Sequence, residues 1–268
     1  MINNDKPKIF IWWHEETPTM TNSRLECLNS FNNCKEHWNL CLITPGNLNS
    51  YILKEDPLNK SFKYLSPVHK SDFICNYMSY HYGGCVFGIK NTRNFTKLYS
   101  YWKNFMTNDN CYYMGAKLSP SYIAHNPQLT IYKKCNEEVN NLFDVRYWFS
   151  KKHNPMSKKI LDKMYNILDE KYIQLSDEKN KWLHSRDHYN CQWKNDKKYY
   201  YSKKRYKFNN IISSYPLRWA ELGGEIVHEV SLEYLSNINN TLPDNFQIRG
   251  SHNWKKECED VIISEVDD

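Results

Sequence analysis

The sequence predicts an α/β fold, with a mixed, mostly parallel sheet flanked by helices. Short apolar runs of strand character alternate along the chain with segments whose apolar residues recur at helical spacing. This alternation is typical of parallel sheets that are covered by helices on both faces. A chain of 268 residues, of which 40% are hydrophobic and 15% aromatic, is long enough to bury a sizeable core. We therefore expect a single domain spanning residues 1–268.

The first elements predict a strand, a helix and a second strand. Residues 8–13 (KIFIWW) form a continuous apolar run, and so do residues 38–44 (WNLCLIT). A helix is predicted between them at 22–36. A start of this kind implies two parallel strands joined by a crossover.

The stretch from 66 to 90 (SPVHKSDFICNYMSYHYGGCVFGIK) predicts a capped helix, a glycine turn and a short strand. Ser66 is a favourable N-cap, and Pro67 suits the first helical position. Gly83 and Gly84 can adopt the positive φ that ends a helix. The buried face of this helix is predicted to consist of Phe73, Ile74, Tyr77, Met78 and His81, and the strand of residues 85–87.

Three loops should meet in one crevice, because ligands of such sheets bind beyond the carboxyl ends of the strands. These are the loops after Trp13, Thr44 and Phe87. Asp72 is expected to place a carboxylate at the helix start, facing this crevice together with Lys90. The sequence therefore predicts a polar ligand site at this edge.

The second half predicts further helices and one unusual segment. We expect a helix at 95–106, a strand at 111–118 and a helix at 129–139. From about 150 to 210 we predict a helical and basic insertion, which includes the basic and tyrosine-rich residues 195–208 (NDKKYYYSKKRYKF). That composition fits either a solvated segment or a surface for single-stranded nucleic acid. The solvated segment is the simpler interpretation.

Composition limits the function classes. A net charge of +6 permits anionic ligands but is modest for a dedicated nucleic-acid-binding protein of this length. No run approaches the ~18 apolar residues of a membrane span. Nine cysteines without a CxxC pair favour reduced thiols over a disulfide framework. We expect a cytoplasmic protein without a membrane span.

Two segments carry a resemblance to a known family. The first is the helix with Ser71 and Asp72, which ends in Gly83-Gly84 and runs into a strand. The second is the block at 215–228 (YPLRWAELGGEIVH). Together they resemble glycosyltransferases of the DxD type (GT-A fold), including capsular-polysaccharide and mannosyl transferases and their large-DNA-virus relatives.

The resemblance implies a nucleotide-sugar-binding fold that transfers a sugar from a UDP- or GDP-sugar to a glycan or glycoprotein acceptor. In a viral setting the protein would act in the host cytoplasm. Glu221 is the candidate general base, since Trp219 and the neighbouring glycines would partly desolvate it. Trp12 and Trp13 either stack on or flank the nucleotide base, or fill the core. The candidate donor-binding residues are Trp12, Trp13, Asp72, Gly84, Gly88, Lys90 and His252.

The sequence also departs from the family at three positions. Gly88 and Lys90 stand where the two DxD aspartates belong, and Cys75 stands where the helix arginine belongs. Mn²⁺ and Mg²⁺ prefer carboxylate and phosphate oxygens, so these positions do not form a DxD metal site. Either Lys90 neutralises the diphosphate as a point charge, or the protein is a catalytically degenerate binding protein. Nucleic-acid binding by the basic segment is the third hypothesis.

Overall fold

The protein is described here by a computed structural model. Its strands are β1 (Lys8–Trp12), β2 (Asn39–Ile43), β3 (Gly84–Phe87), β4 (Thr92–Arg93), β5 (Tyr113–Lys117), β6 (Phe143–Ser150), β7 (Ile238–Asn239) and β8 (Gln247–Ile248). Its helices are α1 (Pro67–His81), α2 (Phe95–Thr107), α3 (Thr130–Glu137), α4 (Pro155–Glu170), α5 (Tyr172–Ser176) and α6 (Gly224–Ser231). The residues that the structure describes are 6–13, 25, 28–29, 35–88, 92–93, 95–125, 129–177, 215–218, 220–242 and 247–248.

The main sheet has six strands in the order β2-β1-β3-β6-β5-β7. The pairs β1–β2, β1–β3 and β5–β7 are parallel, whereas β6 runs antiparallel to both of its neighbours. β4 and β8 form a separate antiparallel ladder. The predicted α/β class, with a mixed, mostly parallel sheet flanked by helices, is confirmed.

Helices cover both faces of the sheet, and alternate residues of each strand divide between two cores. α1, α4 and α6 pack on one face, where Phe10 and Val86 lie in the core. Ile9 and Cys85 point to the other face, where they pack with Leu98 of α2. The helices therefore form the outer layers around a central sheet.

α1 follows the predicted pattern closely. The Ser66 hydroxyl accepts a hydrogen bond from the His69 N–H at 3.3 Å, and Pro67 is the first helical residue. Gly83 and Gly84 have φ values of 63° and 99°. All five residues predicted to form the buried face are buried, namely Phe73, Ile74, Tyr77, Met78 and His81.

Asp72 does not lie at the start of the helix, where the sequence predicts it. It lies in the second turn of α1, and the first turn contains no acidic residue. The cap is Ser66, so the helix begins earlier than an Asp72 start requires. The Asp72 carboxylate is therefore too far along the helix to act mainly on the dipole, which is concentrated in the first turn.

The helical part of the predicted insertion belongs to the main core. Ile160, Met164 and Leu168 of α4 are fully buried and pack in the same cluster as α1. The hydroxyl of Ser61 donates to the Leu168 carbonyl at 2.8 Å. The basic residues 195–208 lie outside the described residues.

The helix predicted at 22–36 is described only at Leu25, Leu28 and Asn29, which are helical. Leu25 is 41% exposed. Among the helices that the structure describes, none has the length and apolar character needed to cross a bilayer.

Candidate functional site

The carboxyl ends of β1, β2 and β3 lie side by side. Trp12 is in register with Ile43, and Phe10 is in register with Val86. α1 ends beside the start of β3, so its first turns lie at the opposite edge, where these three strands end. A helix rises about 1.5 Å per residue, which carries the beginning of α1 past the ends of the shorter strands. Ser66 and Asp72 are thus brought to the predicted ligand edge.

His69 joins the start of α1 to the segment that begins at Tyr215. Its Nε2 lies 2.8 Å from the Arg218 carbonyl oxygen, which can only accept a hydrogen bond, so Nε2 donates. In the neutral ring, Nδ1 is then the acceptor for the Tyr215 hydroxyl, 3.0 Å away. The same hydroxyl accepts the Ser66 N–H at 3.0 Å. Two segments separated by about 150 residues are held together through this imidazole.

Asp72 packs directly on Gly223, which lies in the segment that begins at Tyr215. We call residues 215–231 of this part of the chain the late segment. A Cβ added at Gly223 would lie only 2.7 Å from Asp72 Oδ2, so an alanine there would displace the carboxylate. The glycine is therefore needed for the carboxylate of α1 to approach the late segment.

Glu221, the predicted general base, lies in a turn before α6 and is only 6% exposed. Glu221 therefore does not lie on the helix that carries Glu225. Its Oε1 accepts from Lys171 Nζ at 2.7 Å, and its Oε2 accepts from the Arg218 N–H at 2.8 Å. Both carboxylate oxygens thus hold protein groups in place, and the general-base role stays a prediction.

A second buried acid lies beside Glu221. The Glu225 carboxylate accepts from Arg218 Nη2 at 2.5 Å and from its Nε at 3.3 Å. Burial raises the pKa of Glu225, and the Arg218 guanidinium opposes this shift. This network fixes the turn that carries the glycine pair.

The two tryptophans at the end of β1 face opposite sides of the sheet. Trp12 lies in the core on the α1 face, and Trp13 lies in the core on the other face. Each side chain is 9% exposed, so both are mostly packing groups. A ligand on the α1 side would meet Trp12. The indole Nε1 of Trp12 is buried and has no acceptor among the described residues.

The two glycines predicted to bind the donor have different surroundings. A Cβ at Gly84 would lie 2.6 Å from the Lys8 carbonyl oxygen, so this glycine permits the close approach of β3 to β1. Gly88 is exposed at the end of β3, and a Cβ there would meet none of the described residues within 4 Å. Only Gly88 therefore borders open space.

Cys75 lies on α1 close to Asp72. Burial is the main cause that raises its thiol pKa to about 12, and the nearby Asp72 carboxylate adds to the rise. The thiol is therefore neutral at physiological pH and supplies no positive charge.

His228 lies near the end of the late segment. It is fully buried on α6, and its Nδ1 accepts the Ala124 N–H at 3.3 Å. Burial, together with a smaller effect of the neighbouring His125, lowers the pKa of His228 to about 3. The ring is a neutral structural group that holds the loop before α3.

Lys90 and His252 lie outside the described residues, so their predicted contacts with a donor stay predictions. Among the described residues, no group of three His, Cys, Asp or Glu side chains is arranged to hold a metal ion. Compared with models of known families, with curated proteins and with solved structures, the chain shows no match.

Proposed function

We propose that this chain is a protein of the glycosyltransferase type. It binds a UDP- or GDP-sugar at the carboxyl edge of the sheet and transfers the sugar to a glycan or glycoprotein acceptor. The observation that carries this proposal is the contact between the two segments on which the family resemblance rests. Asp72 of the first packs on Gly223 of the second, and His69 bonds to both Tyr215 and Arg218. The contact lies at the edge where α/β sheets bind ligands.

The donor would lie on the α1 side of this edge. Asp72 is half-buried and faces Gly223. There its carboxylate can accept hydrogen bonds from ribose hydroxyls. Trp12 ends β1 on the same side of the sheet. Its ring offers an apolar surface beside the base.

The residues at the family's metal positions do not fit a divalent cation. Gly88 offers only its backbone carbonyl oxygen and borders open space. We therefore assign no step to Mn²⁺ or Mg²⁺, which need several oxygen ligands. The charge of the diphosphate has to be neutralised by cationic side chains, of which Lys90 is the one that the sequence suggests.

A second candidate function is binding of the same donor without turnover. Two observations favour it. The carboxylate oxygens of Glu221 already accept hydrogen bonds from Lys171 and Arg218, and the neutral Cys75 thiol does not replace an arginine.

Donor hydrolysis and transfer to glycan acceptors separate the two candidates. The transferase proposal predicts turnover by the native chain in the presence of EDTA, and a loss of about tenfold or more in Asp72→Asn. Asp109→Asn, at a fully exposed aspartate, is the matched control and should retain full activity. Equal activity of the Asp72→Asn and Asp109→Asn variants would contradict the assigned site.

The double variant Gly88→Asp with Lys90→Asp addresses the alternative. The open space beside Gly88 accommodates the new side chain, and Gly88→Ala with Lys90→Ala controls for shape. Metal-dependent hydrolysis that arises only in the aspartate variant, from a native chain without turnover, would establish the degenerate binding protein.

A further inference from the structure

Lys70 is an unpaired, half-buried cation beside the end of β1. It is the fourth residue of α1, and its Nζ lies 5.8 Å from the centre of the Phe62 ring. The Phe62 ring in turn packs edge-on against Trp12 at 6.5 Å. Within the described part of the chain, the Lys70 ammonium has no carboxylate partner.

Some other lysines of the described residues differ from Lys70 because they have an acidic partner. Those near the late segment are paired with acids, as in Lys171–Glu221, Lys159–Glu233 and Lys163–Glu229. Burial lowers the pKa of Lys70, with no acid opposing the shift. Desolvation of an ammonium without a counter-charge is unfavourable, so an anion bound here would be stabilised more than at a solvated lysine.

A second donor without an acceptor belongs to the indole that packs on Phe62. The Trp12 side chain is 9% exposed, and its buried Nε1–H has no acceptor among the residues that the structure describes. A buried donor left without a partner costs about 1–3 kcal/mol. The Phe62 ring thus contacts both the Lys70 ammonium and the indole of Trp12.

The place of this pair in the fold determines which ligand it suits. Trp12 is the last residue of β1, and Lys70 lies in the opening turns of α1, so both lie at the ligand edge. Lys70 is on the side of α1 that contacts Phe62, whereas Asp72 is on the side that contacts Gly223. An anionic group near Lys70 and a polyol near Asp72 would occupy neighbouring parts of one edge.

We propose that Lys70 binds the diphosphate of the nucleotide donor, and that it supplies charge that a divalent cation would otherwise supply. This inference rests on the proposed function, because it takes the ligand of the edge to be a nucleoside diphosphate. It adds a diphosphate-binding residue that lies outside the family's DxD positions.

Calorimetry with inorganic pyrophosphate, UDP, GDP and the nucleosides, in EDTA and low salt, tests the inference on the full chain. Lys70→Ala is expected to weaken pyrophosphate and nucleotide binding by ~10- to 100-fold, the effect of one charge-assisted hydrogen bond. Nucleoside binding should be unchanged, and Lys70→Arg should retain most of the affinity. Lys63→Ala is the matched control, since Lys63 also lies over a ring, 4.8 Å from the centre of Tyr64, but is exposed.

The outcomes separate the two proposals. If the native chain binds nucleotides and Lys70→Ala binds them equally well, the Lys70 assignment is overturned and the donor site stands. If the chain binds pyrophosphate through Lys70 but no nucleotide or nucleoside, the anion site stands and the proposed function fails. If it binds none of these ligands, both fail.

A measurement on the native sequence covers the case in which the alanine variant does not fold. Lysines methylated with ¹³C give separate NMR signals, and Lys70 is identified by the signal that Lys70→Arg removes. Saturating pyrophosphate should raise the pKa of this group, because the bound anion stabilises its charged form. An unchanged titration of Lys70 at saturation would overturn the inference.

Discussion

The replacement of His69 by alanine tests the contact that builds the site. The imidazole is fully buried, and its Nε2 is the donor to the Arg218 carbonyl at 2.8 Å. Removing it takes one hydrogen-bond partner from that carbonyl and one from the Tyr215 hydroxyl. The hydrogen bond from the Ser66 N–H to the Tyr215 hydroxyl would remain.

The size of the effect follows from two terms. A buried polar group that loses its partner costs about 1–3 kcal/mol, and the cavity left by a buried ring adds a cost of similar size. We expect a loss of about 3–5 kcal/mol in the free energy of unfolding. For a chain of this length, that corresponds to a fall in Tm of roughly 6–15 °C.

Thermal and urea unfolding followed by circular dichroism measure this loss. His37→Ala is the control, because His37 is only partly buried and stacks on Tyr99 at 4.5 Å. It should cost about 1 kcal/mol or less. If His69→Ala is no more destabilising than His37→Ala, the imidazole does not hold the late segment to α1, and the account of the site is wrong.

Two further predictions concern the late segment. Gly223→Ala should weaken UDP or GDP binding by about tenfold, since its Cβ would lie 2.7 Å from Asp72 Oδ2 and displacing the carboxylate costs on the order of 1–3 kcal/mol; Gly46→Ala, whose nearest neighbour would be 3.9 Å away, should bind normally in the same titration. Acid should destabilise the fold through His228, whose pKa falls from 6.5 to about 3 on folding, so below pH 6.5 the unfolded chain takes up a proton that the folded chain does not. The resulting loss is roughly 1.5 kcal/mol between pH 6.5 and pH 5; urea unfolding of His228→Asn over this range should show a smaller pH dependence, and an equal dependence would contradict the assignment.

Local sequence signals predict much of the fold. The Ser66 cap, the Pro67 start and the glycines with positive φ depend on residues adjacent in the chain, and all are found where expected. The first strands are likewise identified by their apolar runs. These features need no knowledge of the tertiary structure.

β6 is one of the elements that the sequence analysis missed. Although β6 has a neighbour on each side in the sheet, it carries Asp144 and Arg146, which break the apolar pattern that identifies buried strands. Asp144 is only 2% exposed, and it accepts hydrogen bonds from the Arg146 N–H at 2.9 Å and from its Nε at 2.7 Å. The aromatic run at 147–149 was the signal that would have identified the strand.

The site itself could be predicted only in part. The motif residues at Asp72 and Glu221 were identified, but their neighbours were not, because the contacts join distant segments. Lys171 bonds to Glu221, and His69 bonds to Arg218. Neither periodicity nor spacing relates such residues. Lys70 has no sequence signal of its own, because its surroundings depend on Phe62 and Trp12.

The central claim is that the carboxyl edge of the sheet binds a nucleoside diphosphate without a divalent cation. Calorimetric titration of UDP, GDP and their common sugar conjugates, with and without Mn²⁺, tests it most directly. The account predicts saturable binding of at least one of these ligands, with an affinity that Mn²⁺ changes by less than about twofold. The absence of binding by all of them, or binding that occurs only with Mn²⁺, would contradict it.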